Sequence, residues 1–410
     1  MAIEPSKHRK ALLATVTLLL TTLLIVIVIE IVAFVVISVT GTNFYLPLEL
    51  NDPDKAGLVE QQGRIFSHEL GWEPSGNNPH GYRGKEKDIE DAVIALFGDS
   101  YTKGFPKIEQ SWAYLLEQNL GRPVLNFGVG GYGTDQAYLR FEKRYVGKMH
   151  TPYVALLIMS ENISRVMNRY RGFYTRKRSI SRTKPMFYLH DSGNLELLAN
   201  PLESAEQIRL LGERQFLEEI GKTDYWYGHF DKFGLNEIVH FPYSWFLLKA
   251  LPYYVERGTQ HRLRNYREYE DLYKSNRATQ TLLLIIQKFI ERANQENSIP
   301  LVVFLPNWKD LVDYQDDGKT VYDDFFQELR NRHHALTFDA LEYFVPLMQT
   351  GEDVPMFFRS RLEGHYNPYG EQVISSGFAE TLRTVDEEFR ILKYVDKLDT
   401  EPAISSGPRG

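Results

Sequence analysis

The chain contains no cysteine in 410 residues. That excludes disulfides, cysteine-ligated metals, a thiol nucleophile and a lipidated N-terminal cysteine. It leaves the compartment open, because an extracytoplasmic chain can simply avoid cysteine. An excess of positive charge is also missing. The formal net charge is -7, with 47 Lys and Arg against 54 Asp and Glu, which argues against a general nucleic-acid binder. There are no internal repeats, and no His, Asp and Glu cluster has metal-ligand spacing. The glycine-dense stretch 128–133 lacks the lysine of a Walker-type phosphate cradle. No cofactor or metal is expected. What remains is an ordinary globular balance, 43% hydrophobic and 25% charged.

One stretch departs from that balance. Ala11 to Val39 is almost wholly apolar, broken by Thr and by Glu30. A bilayer core of about 30 Å needs roughly 20 helical residues, and this run is longer. A cleavable signal has a shorter apolar region of about 7–15 residues and a small-residue cleavage site, so the run reads as an uncleaved, single-pass anchor. Lys7, Arg9 and Lys10 precede it and the next basic residue is Lys55. The positive-inside rule places the N-terminus in the cytoplasm and the rest outside it, in the periplasm if the cell is Gram-negative. Glu30 is costly in hydrocarbon. It reads either as a tolerated position in an overlong helix or as a helix–helix contact.

Residues 1–10 then form a cytoplasmic tail, 11–39 the anchor and 40–90 a polar stalk and lead-in. From residue 92 strands alternate with helices. Ala92–Phe97, Pro123–Phe127, Tyr153–Met159, Leu301–Leu305 and Ala335–Phe338 read as strands, with amphipathic helices between them. The alternation stops over 163–277, a partly helical, aromatic-rich insertion within a domain spanning 91–395. Residues 396–410 read as a frayed tail. Alternating units predict a three-layer α/β/α fold with a mostly parallel five-stranded, flavodoxin-like sheet. In such sheets ligands bind at the carboxyl ends of the strands.

The residues at those ends carry chemistry. The run VIALFGDS, Val93 to Ser100, ends in Gly98-Asp99-Ser100 and delivers a serine to the sheet edge. A serine hydroxyl needs an adjacent base, which His365 can supply. A developing oxyanion needs preorganised donors. The N–H groups of Ser100 and Gly128 and the amide of Asn162 are suitable types.

Gly98-Asp99-Ser100, Gly128 in Asn126-Phe127-Gly128, Asn162 and His365 resemble, in order, the four blocks of the SGNH (GDSL-type) esterase superfamily. The run NFGVGGYGTDQ, Asn126 to Gln136, resembles a subgroup of membrane-anchored bacterial members, as do the lead-in NPHGYRG and the ending GHYNPYG. The resemblance covers about 78–162 and 280–385. It implies Ser100 as nucleophile, His365 as base, and Ser100, Gly128 and Asn162 as the oxyanion hole. The chain departs from the pattern twice. The third block, usually Gly-x-Asn-Asp, is Ser160-Glu161-Asn162-Ile163. The aspartate usual three residues before the histidine is Leu362. Glu363, two before it, can orient His365. Asp339 is a weaker candidate acid, and a Ser-His dyad is the remaining case.

Arg165, Arg169, Arg171, Arg176, Lys177, Arg178, Arg182 and Lys184 follow Asn162 with no acidic residue among them. They read as a solvated loop or as a patch that steers an anionic polymer or headgroup. The aromatics Tyr225-Trp226-Tyr227 and Trp245-Phe246 read as a satellite core or as sugar-stacking surfaces. Together these features imply an esterase acting through a Ser100 acyl-enzyme on an ester-bearing substrate, a glycan or lipid. An O-acyltransferase would use the same intermediate. A non-catalytic polysaccharide-binding or envelope-assembly protein is the reading from a different class.

Overall fold

The computed structural model describes residues 7–41, 43–45, 63–176, 182–264, 267–332, 336–360 and 364–389. The chain divides into two compact units. One comprises Met1–Leu58, Asn168–Thr183 and Leu202–Arg267; the other comprises Val59–Met167, Lys184–Pro201 and Glu268–Gly410.

In chain order, α1 (Lys7–Thr40) is a single helix of 34 residues. It is long and apolar enough to cross a membrane, and most of its side chains are exposed. A short hairpin, β1 (Arg64–Ser67) and β2 (Gly71–Pro74), opens the second unit. It falls in the part of the sequence read as stalk. Trp72 packs edge-on against Tyr132 at 5.5 Å, and buried Glu73 pairs with Arg140 at 3.1 Å, fastening the hairpin.

The alternating region follows: β3 (Ile94–Phe97), α2 (Ser100–Lys103), α3 (Trp112–Leu120), β4 (Val124–Asn126), α4 (Thr134–Arg144), β5 (Tyr153–Ile158) and α5 (Asn162–Val166). The insertion carries α6 (Arg171–Thr175), a hairpin of β6 (Met186–Leu189) and β7 (Leu195–Leu198), α7 (Arg214–Gly221), α8 (Tyr225–Asp231) and α9 (Tyr243–Arg264). Then come α10 (Glu270–Tyr273), α11 (Asn276–Gln295), β8 (Ile299–Phe304), α12 (Trp308–Asp317), α13 (Asp323–Arg332), β9 (Leu336–Asp339), α14 (Leu341–Gln349) and α15 (Pro368–Phe389).

Five strands form one parallel sheet in the order β4-β3-β5-β8-β9. In strand sequence that is 2-1-3-4-5, the flavodoxin-like order expected from the alternation. The runs read as strands lack polar alternation because both faces are covered: all six residues of β5 are buried. Tyr153, Ala155 and Leu157 join a core with Trp112 and Leu116 of α3, Phe344 of α14 and Phe378 of α15. On the other face Phe97 stacks on Phe127 at 4.7 Å and meets Phe141 of α4, which meets Phe289 of α11 at 5.0 Å. Each such buried side chain contributes about 1.5–3 kcal/mol by leaving water.

In the first unit Trp226 and Phe230 of α8 are buried and Phe173 meets Tyr227 at 4.8 Å. These aromatics fill a satellite core. Asp224 caps α8, accepting from Trp226 N at 2.9 Å and Tyr227 N at 3.3 Å.

Candidate active site

Ser100 opens α2 directly after β3, so the strand aims it at the carboxyl edge of the sheet. The turn that presents it depends on Gly98. A methyl at Gly98 would lie 2.0 Å from Thr102 Oγ1 and 2.7 Å from the Leu157 carbonyl, so no larger residue fits. Asp99 caps the turn: its Oδ1 accepts from Tyr101 N at 2.8 Å.

His365 arrives from far along the chain, three residues before α15. Its Nε2 lies 2.9 Å from Ser100 Oγ, within reach for general-base catalysis. The loop carrying it is held from several sides. Arg359 N donates to the His365 carbonyl at 2.9 Å, and Asn367 N to the Phe357 carbonyl at 3.0 Å. Tyr366 O–H donates to the Pro306 carbonyl at 2.5 Å. Tyr101, the neighbour of the serine, stacks its ring on His365 at 5.1 Å and donates its hydroxyl to the Gly364 carbonyl. Gly364 has φ +64°, a conformation that favours glycine. Glu363 and Leu362 lie outside the described residues.

The other candidate acid serves a different place. Asp339 ends β9, the edge strand of the sheet. Its Oδ1 accepts from Leu341 N at 2.9 Å and Tyr322 O–H at 3.1 Å, so it is bonded to the start of α14 and to Tyr322 and not to His365. Burial pushes its pKa up to about 7.

Of the three expected oxyanion donors, Gly128 and Asn162 have other partners. Gly128 N donates to Asn126 Oδ1 at 2.9 Å. A methyl on Gly128 would sit 2.4 Å from Lys103 N, so this glycine permits the β4 loop to pack on α2. The Asn162 side chain is buried. Its Nδ2 donates to Asp99 Oδ2 at 3.0 Å and to the Tyr132 carbonyl at 3.5 Å, and its Oδ1 accepts from Met159 N at 2.9 Å. Both residues thus pack against the turn and helix that carry Ser100. The glycine loop reaches Ser100 two residues later. A methyl on Gly130 would lie 3.9 Å from Ser100 Cβ and 3.0 Å from Arg64 Nη2. Among the described residues the N–H groups of Ser100 and Gly130 have no hydrogen-bond partner.

Behind the serine lies a buried ionic knot. Asp99 Oδ2 accepts from Arg165 at 2.8 Å as well as from Asn162. Arg165 also pairs with Glu161 at 3.2 Å and donates to the Tyr132 carbonyl at 3.1 Å. At the other end of the basic run, Lys184 pairs with buried Asp135. These two cations are thus structural rather than a solvated patch. Lys177 and Arg178 lie outside the described residues. Sequence reasoning also missed Glu371 in the first turn of α15. Its carboxylate accepts from Trp112 N at 2.7 Å, joining the segment after His365 to the start of α3. Burial pushes the Glu371 pKa up to about 8, against the pull of that bond and of Arg83.

No family model matches the chain, and no curated protein matches it. Solved structures do. A candidate lipolytic protein of G-D-S-L family from Desulfitobacterium hafniense DCB-2 is similar at 12% identity and TM-score 0.34, over 70% of this chain and 98% of that one. LAE5, an alpha/beta hydrolase enzyme from the metagenome of Lake Arreo, Spain, is similar at 14% identity and TM-score 0.36, over 71% and 96%. A member of the lipolytic protein G-D-S-L family from Veillonella parvula DSM 2008 is similar at 13% identity and TM-score 0.33, over 70% and 94%. The chemistry open to Ser100 and His365 rests on their own geometry.

Proposed function

We propose that the protein is a membrane-anchored, extracytoplasmic serine esterase that removes an O-acyl group, with an envelope or exported glycan as the substrate class. The observation that carries the catalytic part is the 2.9 Å contact between His365 Nε2 and Ser100 Oγ at the carboxyl edge of the sheet. His365 takes the proton of Ser100 as Oγ attacks the ester carbonyl. The Ser100 and Gly130 N–H groups receive the oxyanion. Collapse expels the alcohol, which takes the proton from His365. Water then adds to the acyl-enzyme by the same route and releases the acid. The length of α1 and the basic residues of its first turn support the anchor and the N-in orientation.

A fluorophosphonate probe on the full chain in detergent tests this directly. Ser100 should be labelled, and labelling should be lost in Ser100→Ala and strongly slowed in His365→Ala. Labelling that ignores His365 would sink the assignment. Supplying an acetyl ester with and without an oligosaccharide separates hydrolysis from transfer. Free acid alone supports the esterase, whereas acetylated sugar assigns an acyltransferase.

A further inference from the structure

The chain follows an unusual path in the first unit. After α8 the chain meets the far end of α1: Phe44 N donates to the Leu235 carbonyl at 3.2 Å and Asn43 Nδ2 to the Glu237 carbonyl at 2.6 Å. It then runs back alongside α1. At Tyr243 it is level with Glu30, whose carboxylate accepts from Tyr243 N, Ser244 N and Ser244 Oγ. The rings of Phe34 and Tyr243 lie 5.1 Å apart. Between Glu30 and the end of α1 the helix rises about 15 Å. Helix α9 climbs the same distance back. Lys249 meets Glu237 at 2.6 Å, and Tyr253 meets Phe233 at 5.0 Å. Residues 235–253 therefore form a hairpin that descends along the last ten residues of α1 and returns.

The hairpin exposes what a soluble segment would hide. Phe246, Ala250 and Tyr253 face inward. Trp245, Leu248, Leu251 and Val255 face outward at 60%, 56%, 50% and 57% exposure, preceded by Ile238 at 53% and Phe241 at 69%. Contiguous apolar surface of this kind marks an interaction site. It continues a surface already present, because Val32, Val35, Val36 and Val39 of α1 are exposed over the same length of helix. Glu30 fits the same picture. A carboxylate in an apolar helix is costly unless partnered, and here the first amides of α9 and a serine hydroxyl partner it. Those bonds also satisfy backbone groups at the tip of the hairpin, as non-helical backbone at membrane depth requires.

We propose that residues 238–255 enter the bilayer leaflet that holds the C-terminal part of α1. The chain is then held by a helix and a re-entrant hairpin together. This rests on the reading of α1 as a membrane anchor. The occupant of the apolar face is lipid, because the face is continuous with the lipid-facing surface of α1 and begins at its one buried carboxylate.

The absence of cysteine makes the test clean. Single spin labels are placed on the full chain in phosphatidylcholine–phosphatidylglycerol nanodiscs through Leu20→Cys, Phe241→Cys, Leu248→Cys and Leu197→Cys. Collision with oxygen, which partitions into lipid, is compared with collision with a water-soluble nickel chelate. The labels at 241 and 248 should match Leu20 and give an oxygen-to-nickel ratio several times that at Leu197. If Leu20 reports lipid while 241 and 248 report water, the anchor stands and the hairpin insertion is wrong. If all report water, the anchor reading fails and takes this inference with it. Shielding from both reagents at 241 and 248 means a protein partner or second copy covers the face, which also overturns it. A label-free arm guards against misfolded variants. Brominated lipid should quench the Trp245 emission, obtained by subtracting the Trp245→Phe spectrum, and no quenching would count against insertion.

Discussion

Two groups of polar residues meet at the end of β3, one in front of Ser100 and one behind it. In front, Ser100 and His365 share a single 2.9 Å contact, and the amides of Ser100 and Gly130 are left unbonded by described residues. Behind, Asp99, Asn162 and Arg165 are buried, and the Asp99 carboxylate accepts from both of the others. The adjoining residues Asp99 and Ser100 thus belong to opposite regimes. An open pair can exchange protons with a substrate, whereas a buried ion pair holds shape. Substitutions should therefore separate activity from stability according to which side of the strand end they strike.

The largest effect belongs to the front. Ser100→Ala should lower ester hydrolysis by about 10⁴-fold or more, and His365→Ala by a comparable factor, with Tm nearly unchanged in both. Steady-state rates and a thermal melt on the same preparations check this. A large fall in Tm for either would erase the distinction between front and back.

Breaking the knot should do the reverse. Arg165→Met leaves the Asp99 carboxylate buried without its cation. Loss of one partner of a buried pair costs about 3–5 kcal/mol, or roughly 10 °C in Tm for a domain of this size. Adding Asp99→Asn removes the stranded charge, so the double variant should recover much of the loss. A double variant less stable than Arg165→Met would show that Asp99 does more than answer Arg165.

A smaller effect comes from buried carboxylates outside both groups. Burial pushes Glu371 and Asp310 up to about 8. Their folded pKa values stand above the unfolded ones, so between about pH 5 and 8 the folded chain binds more protons. Stability must then fall as pH rises through that window and is highest at its acid end. Glu371→Gln keeps an oxygen for the Trp112 amide and removes the titration. Its Tm should vary less with pH than the parent's, by a few degrees over the window. An unchanged slope would remove Glu371 as a source of the pH dependence.

The contrast between front and back also explains what the sequence could reveal. The five strands were legible because burial on both faces leaves apolar runs, as in β5, where no polar residue intervenes. Hairpins β1–β2 and β6–β7 were not, since each strand has four residues and mixed exposure. Ser100 and His365 could be named because their residue types and places at strand ends suffice. Gly128 and Asn162 are also of suitable type, but residue type does not say where an N–H points. The Asn126 side chain competes for one amide, and Asp99 takes the other. The basic run misled for the same reason. Arg165 and Lys184 find acids 66 and 49 residues away, a pairing that only the fold reveals. In the other unit, Trp245 has the composition of a core residue and faces outward.

The smallest effect lies where front and back touch. Tyr101 donates its N–H to Asp99 behind, while its ring and hydroxyl hold the His365 loop in front. Tyr101→Phe keeps the N–H and the ring and removes only the bond to the Gly364 carbonyl. A single hydrogen bond is worth about 0.5–1.5 kcal/mol, so the melt should move by only a few degrees. That bond sits one residue before the base, so the loss should fall on kcat, by several-fold, with KM little changed. Tyr101→Leu removes the stack as well and should cost more in kcat without a matching fall in Tm. Should both variants lose stability in proportion to rate, Tyr101 belongs with the knot. If kcat alone moves, this residue carries the order of the buried side across to the reacting one.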